Sequence, residues 1–146
     1  MIIDLKKLRA SGKQTTDFYF EPCLQDNLSD IPNTQIVQPI KVVGSVTLAE
    51  LHSAYIEGEI NFKISGACTR CLEPTEKEYT AEFSEHVCAD NDGGYLVVND
   101  KVDLEKIVSD KILMSLPINF LCKDDCKGIC VDCGANLNQE ECKCKK

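Results

Sequence analysis

Apolar and polar residues alternate with period two through three stretches of the chain. In IKVVGSVTL, Ile40, Val42, Gly44, Val46 and Leu48 share one side. In YIEGEINFKISG, Ile56, Ile60, Phe62 and Ile64 share a side, opposite Glu57, Glu59 and Lys63. EYTAEFSEHV sets Tyr79, Ala81 and Phe83 against Glu78, Thr80, Glu82 and Ser84. This is the pattern of antiparallel strands with one face buried and one face wet. AELHSAY, between the first two, is short enough for a hairpin.

Elsewhere the pattern changes. Ile2 to Leu8 reads as a short strand or one helical turn. Residues 10 to 35 carry Pro22, Pro32 and many small polar residues, which predicts a loop-rich connection with a short strand at Asp17–Phe20. Asp90-Asn91-Asp92-Gly93-Gly94 predicts a turn, and Tyr95–Val98 a short apolar strand. Asn99 to Leu116 reads as a helix, with Asp100 or Asp103 to cap it. Its buried stripe is Leu104, Ile107, Val108, Ile112 and Leu116, and Pro117 ends it. The expected class is α+β: an antiparallel sheet with one main helix and a cysteine-rich C-terminal module. An open sheet and one curled into a partial barrel both satisfy the pattern. The expected division is a core at residues 1–121 and the module at 122–146, packed on the core or appended to it.

Charge narrows the class of partner. The formal net charge is −8. From Glu73 to Asp92, seven carboxylates stand against one lysine, Lys77. That balance argues against nonspecific binding to phosphate backbones and suits a basic protein; a solvated face that keeps the chain soluble is the plainer reading. The N-terminal MIIDLKKLRASGKQ lacks the apolar core of a signal peptide, and no apolar run is long enough to span a bilayer. The expectation is a cytoplasmic protein.

Cysteine usage carries the chemistry. In a cytosolic chain, ten cysteines point to metal binding or redox chemistry rather than a disulfide framework. Six follow position 121: Cys122, Cys126, Cys130, Cys133, Cys142 and Cys144. Cys130-Val131-Asp132-Cys133-Gly134 is the strongest piece, because two thiolates two residues apart grip one ion from a tight turn. Cys142 and Cys144 supply two more, and the expectation is one closed, structural zinc site. Lys143, Lys145 and Lys146 would offset its charge. Cys122, Cys126, Cys130 and Cys133 form a rival quartet, and a shared two-metal cluster is a further alternative; in the plainer reading the spare pair is free or buried. Cys68-Thr69-Arg70-Cys71 lies between strands, so it lacks the helix N-terminus of a thioredoxin-like motif. It reads equally as a turn with two buried thiols or as metal ligands reaching across the fold. Cys23 and Cys88 read as structural, His52 and His86 as surface residues. No Ser elbow, phosphate loop or dinucleotide motif is present, and no carboxylate pair stands out as acid and base, so no enzyme is expected.

The order CTRCLEP, an amphipathic acidic strand, then a helix ending in LMSLPINFLCKDDCKGICVDCGANLNQEECKC resembles the YceD family of large ribosomal RNA subunit accumulation proteins. The resemblance covers roughly residues 40 to 144. It implies a bacterial cytoplasmic, non-catalytic role in synthesis, processing or accumulation of large-subunit ribosomal RNA. It implies a ribosomal precursor particle as partner, reached through a basic ribosomal protein, the RNA, or both, and no small-molecule substrate. The acidic sheet face would hold the protein while the lysine-flanked tail approaches RNA. Some members lack most of these cysteines, which implies that zinc is a stabilising clip. The competing reading is a thiol redox switch or reductase built on Cys68 and Cys71.

Overall fold

The computed structural model describes residues 1–24, 31–50, 52–90 and 94–144. The chain begins with β1 (Ile2–Asp4) and α1 (Leu5–Ala10), so the opening segment is both strand and helical turn. β2 (Thr15–Phe20), β3 (Thr34–Leu48), β4 (Ser53–Ala67) and β5 (Pro74–Cys88) follow. β6 (Tyr95–Leu96), β7 (Lys101–Asp103) and α2 (Leu104–Ser115) complete the core. The sheet has five strands in the order β2-β3-β4-β5-β6, antiparallel except for the β5–β6 pair, and it is not closed into a barrel. β1 and β7 form a separate two-stranded sheet.

The alternation decides which face is buried. Val42, Val46, Ile56, Ile60, Ile64 and Val87 lose all contact with solvent, whereas Glu57, Glu78 and Glu82 on the same strands stay exposed. α2 lies over the buried face with Leu104, Ile107, Val108 and Ile112, in one core with the strands. Lys111 of α2 forms an ion pair with Glu85, the one carboxylate of β5 on that side.

Two boundaries differ from the sequence reading. β3 starts at Thr34, inside the expected loop, and crosses Pro39 at a register shift between Val37 and Lys41 where the Gln38–Pro39 peptide is cis. The shift accommodates a residue that cannot donate to the ladder. The helix starts at Leu104 rather than Asn99, because Asn99 and Asp100 sit at positive φ (53° and 59°) and β7 intervenes. Asp103 is its cap, accepting from the Glu105 backbone N–H at 3.0 Å. The expected turn at 90–94 falls mostly outside the described residues.

One row across the sheet determines how closely its strands approach. Phe18, Gly44, Gly58 and Phe83 are successive cross-strand neighbours on the buried side. A Cβ on Gly44 would fall 2.7 Å from the Phe18 ring, and one on Gly58 2.9 Å from the Phe83 ring. Each phenyl ring covers the glycine beside it, as in aromatic rescue of strand glycines.

Candidate metal centres

Two groups of four thiols lie at the end of the sheet where β4 turns into β5. The first joins Cys68 and Cys71, in that turn, to Cys122 and Cys126. The second joins Cys130 and Cys133 to Cys142 and Cys144, all in the tail. Within each group the sulfurs lie within 4.8 Å of one another.

In the first group, Cys68 Sγ lies 3.7 Å from Cys126 Sγ, and Cys71 Sγ 3.5 Å from Cys122 Sγ. In the second, Cys130 Sγ is 3.3 Å from Cys142 and 3.7 Å from Cys144, and Cys133 is 3.9 Å from Cys142. A tetrahedron of sulfurs about 2.3 Å from a central ion has edges of about 3.8 Å. The separations cluster around that edge and are far beyond an S–S bond of about 2.05 Å. All ten cysteines are free thiols. Each quartet therefore fits one tetrahedral ion.

Backbone geometry sets both quartets. Leu72 N–H donates to the Cys68 carbonyl at 2.9 Å and closes the first turn, with Leu72 at φ 61°. Thr69 N–H donates to the Phe120 carbonyl at 2.8 Å and Ile129 N–H to the Arg70 carbonyl at 3.2 Å, so the tail hangs on the CTRC turn. Arg70 Nη1 also donates to the Cys126 carbonyl at 3.1 Å. Gly128 (φ 77°) passes over Arg70, where a Cβ would lie 3.2 Å from its carbonyl oxygen. Gly134 (φ 72°) turns the second knuckle, and its N–H donates to the Cys130 carbonyl at 2.9 Å.

The tail has little apolar core of its own. Cys68, Cys71 and Cys126 are buried as a cluster separate from the main core, with Leu121, Cys122 and Ile129 around them. The second quartet is more open, with Cys133 and Cys142 exposed. The first quartet has a polar outer partner. Asn138 Nδ2 donates to Cys126 Sγ at 3.4 Å, and the Lys127 N–H donates to Asn138 Oδ1 at 2.9 Å. Asn136 and Gln139 donate to Glu73 Oε1 at 3.1 and 3.3 Å, tying the second half of the tail to the start of β5. Partners of this kind hold metal ligands in orientation. We expect Asn138→Ala to weaken metal binding at the first quartet about tenfold or more, with the sheet intact, in competition with a chromophoric chelator.

The thiols are unequal. At Cys68 burial pushes upward, but the N–H groups of Cys71, Arg70 and Cys122 outweigh it and bring the thiol down to about 6. The N–H groups of Ala135 and Lys143 bring Cys133 down to about 6. Burial, then the neighbouring thiols of Cys71, Cys126 and Cys68, push Cys122 up to about 12. The thiols of Cys142, Cys133 and Cys130 push Cys144 up to about 12. At neutral pH the metal-free quartets thus keep protons on Cys122 and Cys144, and an incoming ion must expel them. Metal uptake should release protons, and affinity should fall as pH falls. Calorimetry in buffers of different ionisation enthalpy measures both effects.

The tail cysteines named from the sequence all lie in these groups. The grouping differs from the single ion expected: Cys122 and Cys126 join Cys68 and Cys71, and no group unites them with Cys130 and Cys133. The signal was arithmetic. Without Cys23 and Cys88, eight cysteines remain in four close pairs, twice what one four-ligand ion needs. Neither Cys23 nor Cys88 belongs to a quartet. His52 pairs with Asp100 and His86 makes a tilted ring contact with Tyr55, both at the surface. Lys143 pairs with Glu140 at 2.9 Å, while Lys145 and Lys146 lie outside the described residues.

The family model described as "Large ribosomal RNA subunit accumulation protein YceD" matches residues 56–146. Among curated relatives, "Large ribosomal RNA subunit accumulation protein YCED homolog 1, chloroplastic" of Arabidopsis thaliana is 34% identical over 124 residues, covering 61% of this chain and 39% of the relative. Its Zea mays counterpart is 24% identical over 127 residues, covering 62% and 43%. An uncharacterized protein of Mycobacterium tuberculosis is 28% identical over 94 residues, covering 58% and 45%. The chain spans less than half the length of these relatives. No solved structure matches significantly.

Proposed function

Since the chain belongs to the YceD family of large ribosomal RNA subunit accumulation proteins, we propose that it is a non-catalytic factor in the accumulation of large-subunit ribosomal RNA, held in shape by two structural zinc ions. The observation that carries this reading is that the family match, residues 56–146, contains both thiol quartets whole. Cys68, Cys71, Cys122 and Cys126 would hold one ion, and Cys130, Cys133, Cys142 and Cys144 the other. Four soft thiolates in a tetrahedron suit zinc. Their close spacing suits a single ion better than a multi-iron cluster, which needs wider separation of its ligands. With four protein ligands each, both sites are closed, which favours architecture over catalysis.

In this reading residues 1–121 form the binding body, and the module at 122–146 is a clip on the β4–β5 turn, working in the cytoplasm on a ribosomal precursor particle. A redox role for Cys68 and Cys71 finds no support, because both thiols are drawn into a quartet with Cys122 and Cys126. The test is depletion of the protein in cells. Mature large-subunit ribosomal RNA should fall relative to small-subunit RNA, and the protein should co-sediment with large-subunit precursors. An unchanged ratio with no co-sedimentation would sink the reading.

A further inference from the structure

We propose that the open face of the five-stranded sheet docks a lysine- and arginine-rich segment of a partner protein. This rests on the reading above and names the surface and the kind of partner.

The helices cover only one side of the sheet. On the other side the pairing register places Tyr19, Val43, Glu59 and Glu82 in one row. Asp17, Ser45, Glu57 and Ser84 form the next. Glu59 and Glu82 are direct cross-strand neighbours, a placement that destabilises a sheet because the like charges face each other. Lys63, farther along this face, holds Glu76 and Glu78, and Lys111 of α2 holds Glu85. Among the described residues no ion pair reaches Asp17, Glu57, Glu59 or Glu82.

The same face is not merely acidic. Tyr19, Val43 and Tyr55 are 56%, 42% and 50% exposed on it. Between these two rows the backbone of the Gly44–Gly58 pair, whose Cα substituents face the buried side, floors a shallow trough flanked by Glu57, Glu59 and Glu82. A lysine or arginine suits such a surface, with its stem along Val43 or a tyrosine ring and its head on the carboxylates. Phosphates do not suit it. Metal loading strengthens the preference: two zinc–tetrathiolate centres of about −2 each would take the chain from −8 to about −12.

The test uses the full-length, zinc-loaded protein and a synthetic peptide rich in lysine and arginine, read by fluorescence anisotropy. The triple variant E57K/E59K/E82K should weaken binding by about tenfold or more, and a charge-matched control, E50K/D90K/E141K, by no more than about twofold. Equal weakening would overturn the proposal, because net charge alone would then explain binding. Y19A/Y55A should weaken binding about threefold; no change would remove the aromatic half of the proposal. A wild-type protein that binds an RNA hairpin more tightly than the peptide would overturn it in favour of a nucleic-acid partner. E59K alone should raise the melting temperature by relieving the like-charge neighbours, and a fall would mean that the carboxylates serve the fold rather than docking. In a depleted strain, wild-type protein should restore large-subunit ribosomal RNA and the E57K/E59K/E82K variant should not. Should depletion itself leave that RNA unchanged, the biogenesis reading fails, and the peptide comparison alone decides the docking face.

Discussion

Cys68→Ser should lower the zinc content from two ions to about one per chain and the melting temperature by about 10 °C. Cys68 is fully buried and belongs to the quartet that spans the fold. Without its thiolate the first ion loses a ligand, and Cys122 and Cys126 lose their anchor in the β4–β5 turn. The buried cluster around them is mostly sulfur, with Leu121 and Ile129 only half-buried beside it, so few apolar contacts remain to hold the tail. Structural zinc contributes folding free energy outright, on the order of 10 kcal/mol in small zinc peptides. The sheet has its own core, so only part of that is at stake, about 3 kcal/mol. In a chain of this size each kcal/mol moves the melting temperature by about 3–4 °C. Cys133→Ser should cost less, because its quartet ties only residues 130–144 together. Elemental analysis and circular-dichroism melting read both variants. Wild-type melting with two ions retained in Cys68→Ser would contradict the assignment.

Gly44→Val should leave little soluble protein. Its Cβ would fall on the Glu57 carbonyl oxygen, 2.7 Å from the Phe18 ring and 2.9 Å from the Gly58 Cα. The ring can turn aside. The backbone of β4 can yield only by spreading from β3, which breaks the ladder between the two long strands. Overpacking of this kind costs about 3 kcal/mol before any lost hydrogen bond is counted, a large share of a stability of about 5–15 kcal/mol. Gly12→Ala is the matched contrast. Nothing lies within 4 Å of its Cβ, so only the φ of 72° opposes it, at about 1 kcal/mol. Expression yield and urea unfolding should rank wild type, Gly12→Ala and Gly44→Val in that order.

The central sheet was legible because its strands are buried on one face only. Ile56, Ile60 and Phe62 against Glu57 and Glu59 leave no other register, since a one-residue slip would bury the carboxylates. What lay outside the pattern was less legible. Pro39 reads locally as an interruption, yet β3 absorbs it at a register shift. Asn99 and Asp100 read as a helix start, yet both take left-handed conformations that local sequence favours only weakly. At the metal centres close spacing marks each cysteine pair, as C-x-x-C at Cys68/Cys71 and Cys130/Cys133, C-x-x-x-C at Cys122/Cys126 and C-x-C at Cys142/Cys144. Which knuckle meets which cannot be read from spacing. The first quartet joins residues 51 and 58 positions apart, and β5 and α2 between them set where the tail arrives.

That long separation bears on synthesis. A nascent chain that has reached residue 121 already carries β3, β4 and β5, but Cys68 and Cys71 then wait without their partners. The loop through β5 and α2 must be made and folded before the first ion can be enclosed. Only a chain that has passed Cys126 can therefore offer a metal ion all four thiols of this quartet. A chain truncated before Cys122 would present only Cys68 and Cys71 of the four thiols.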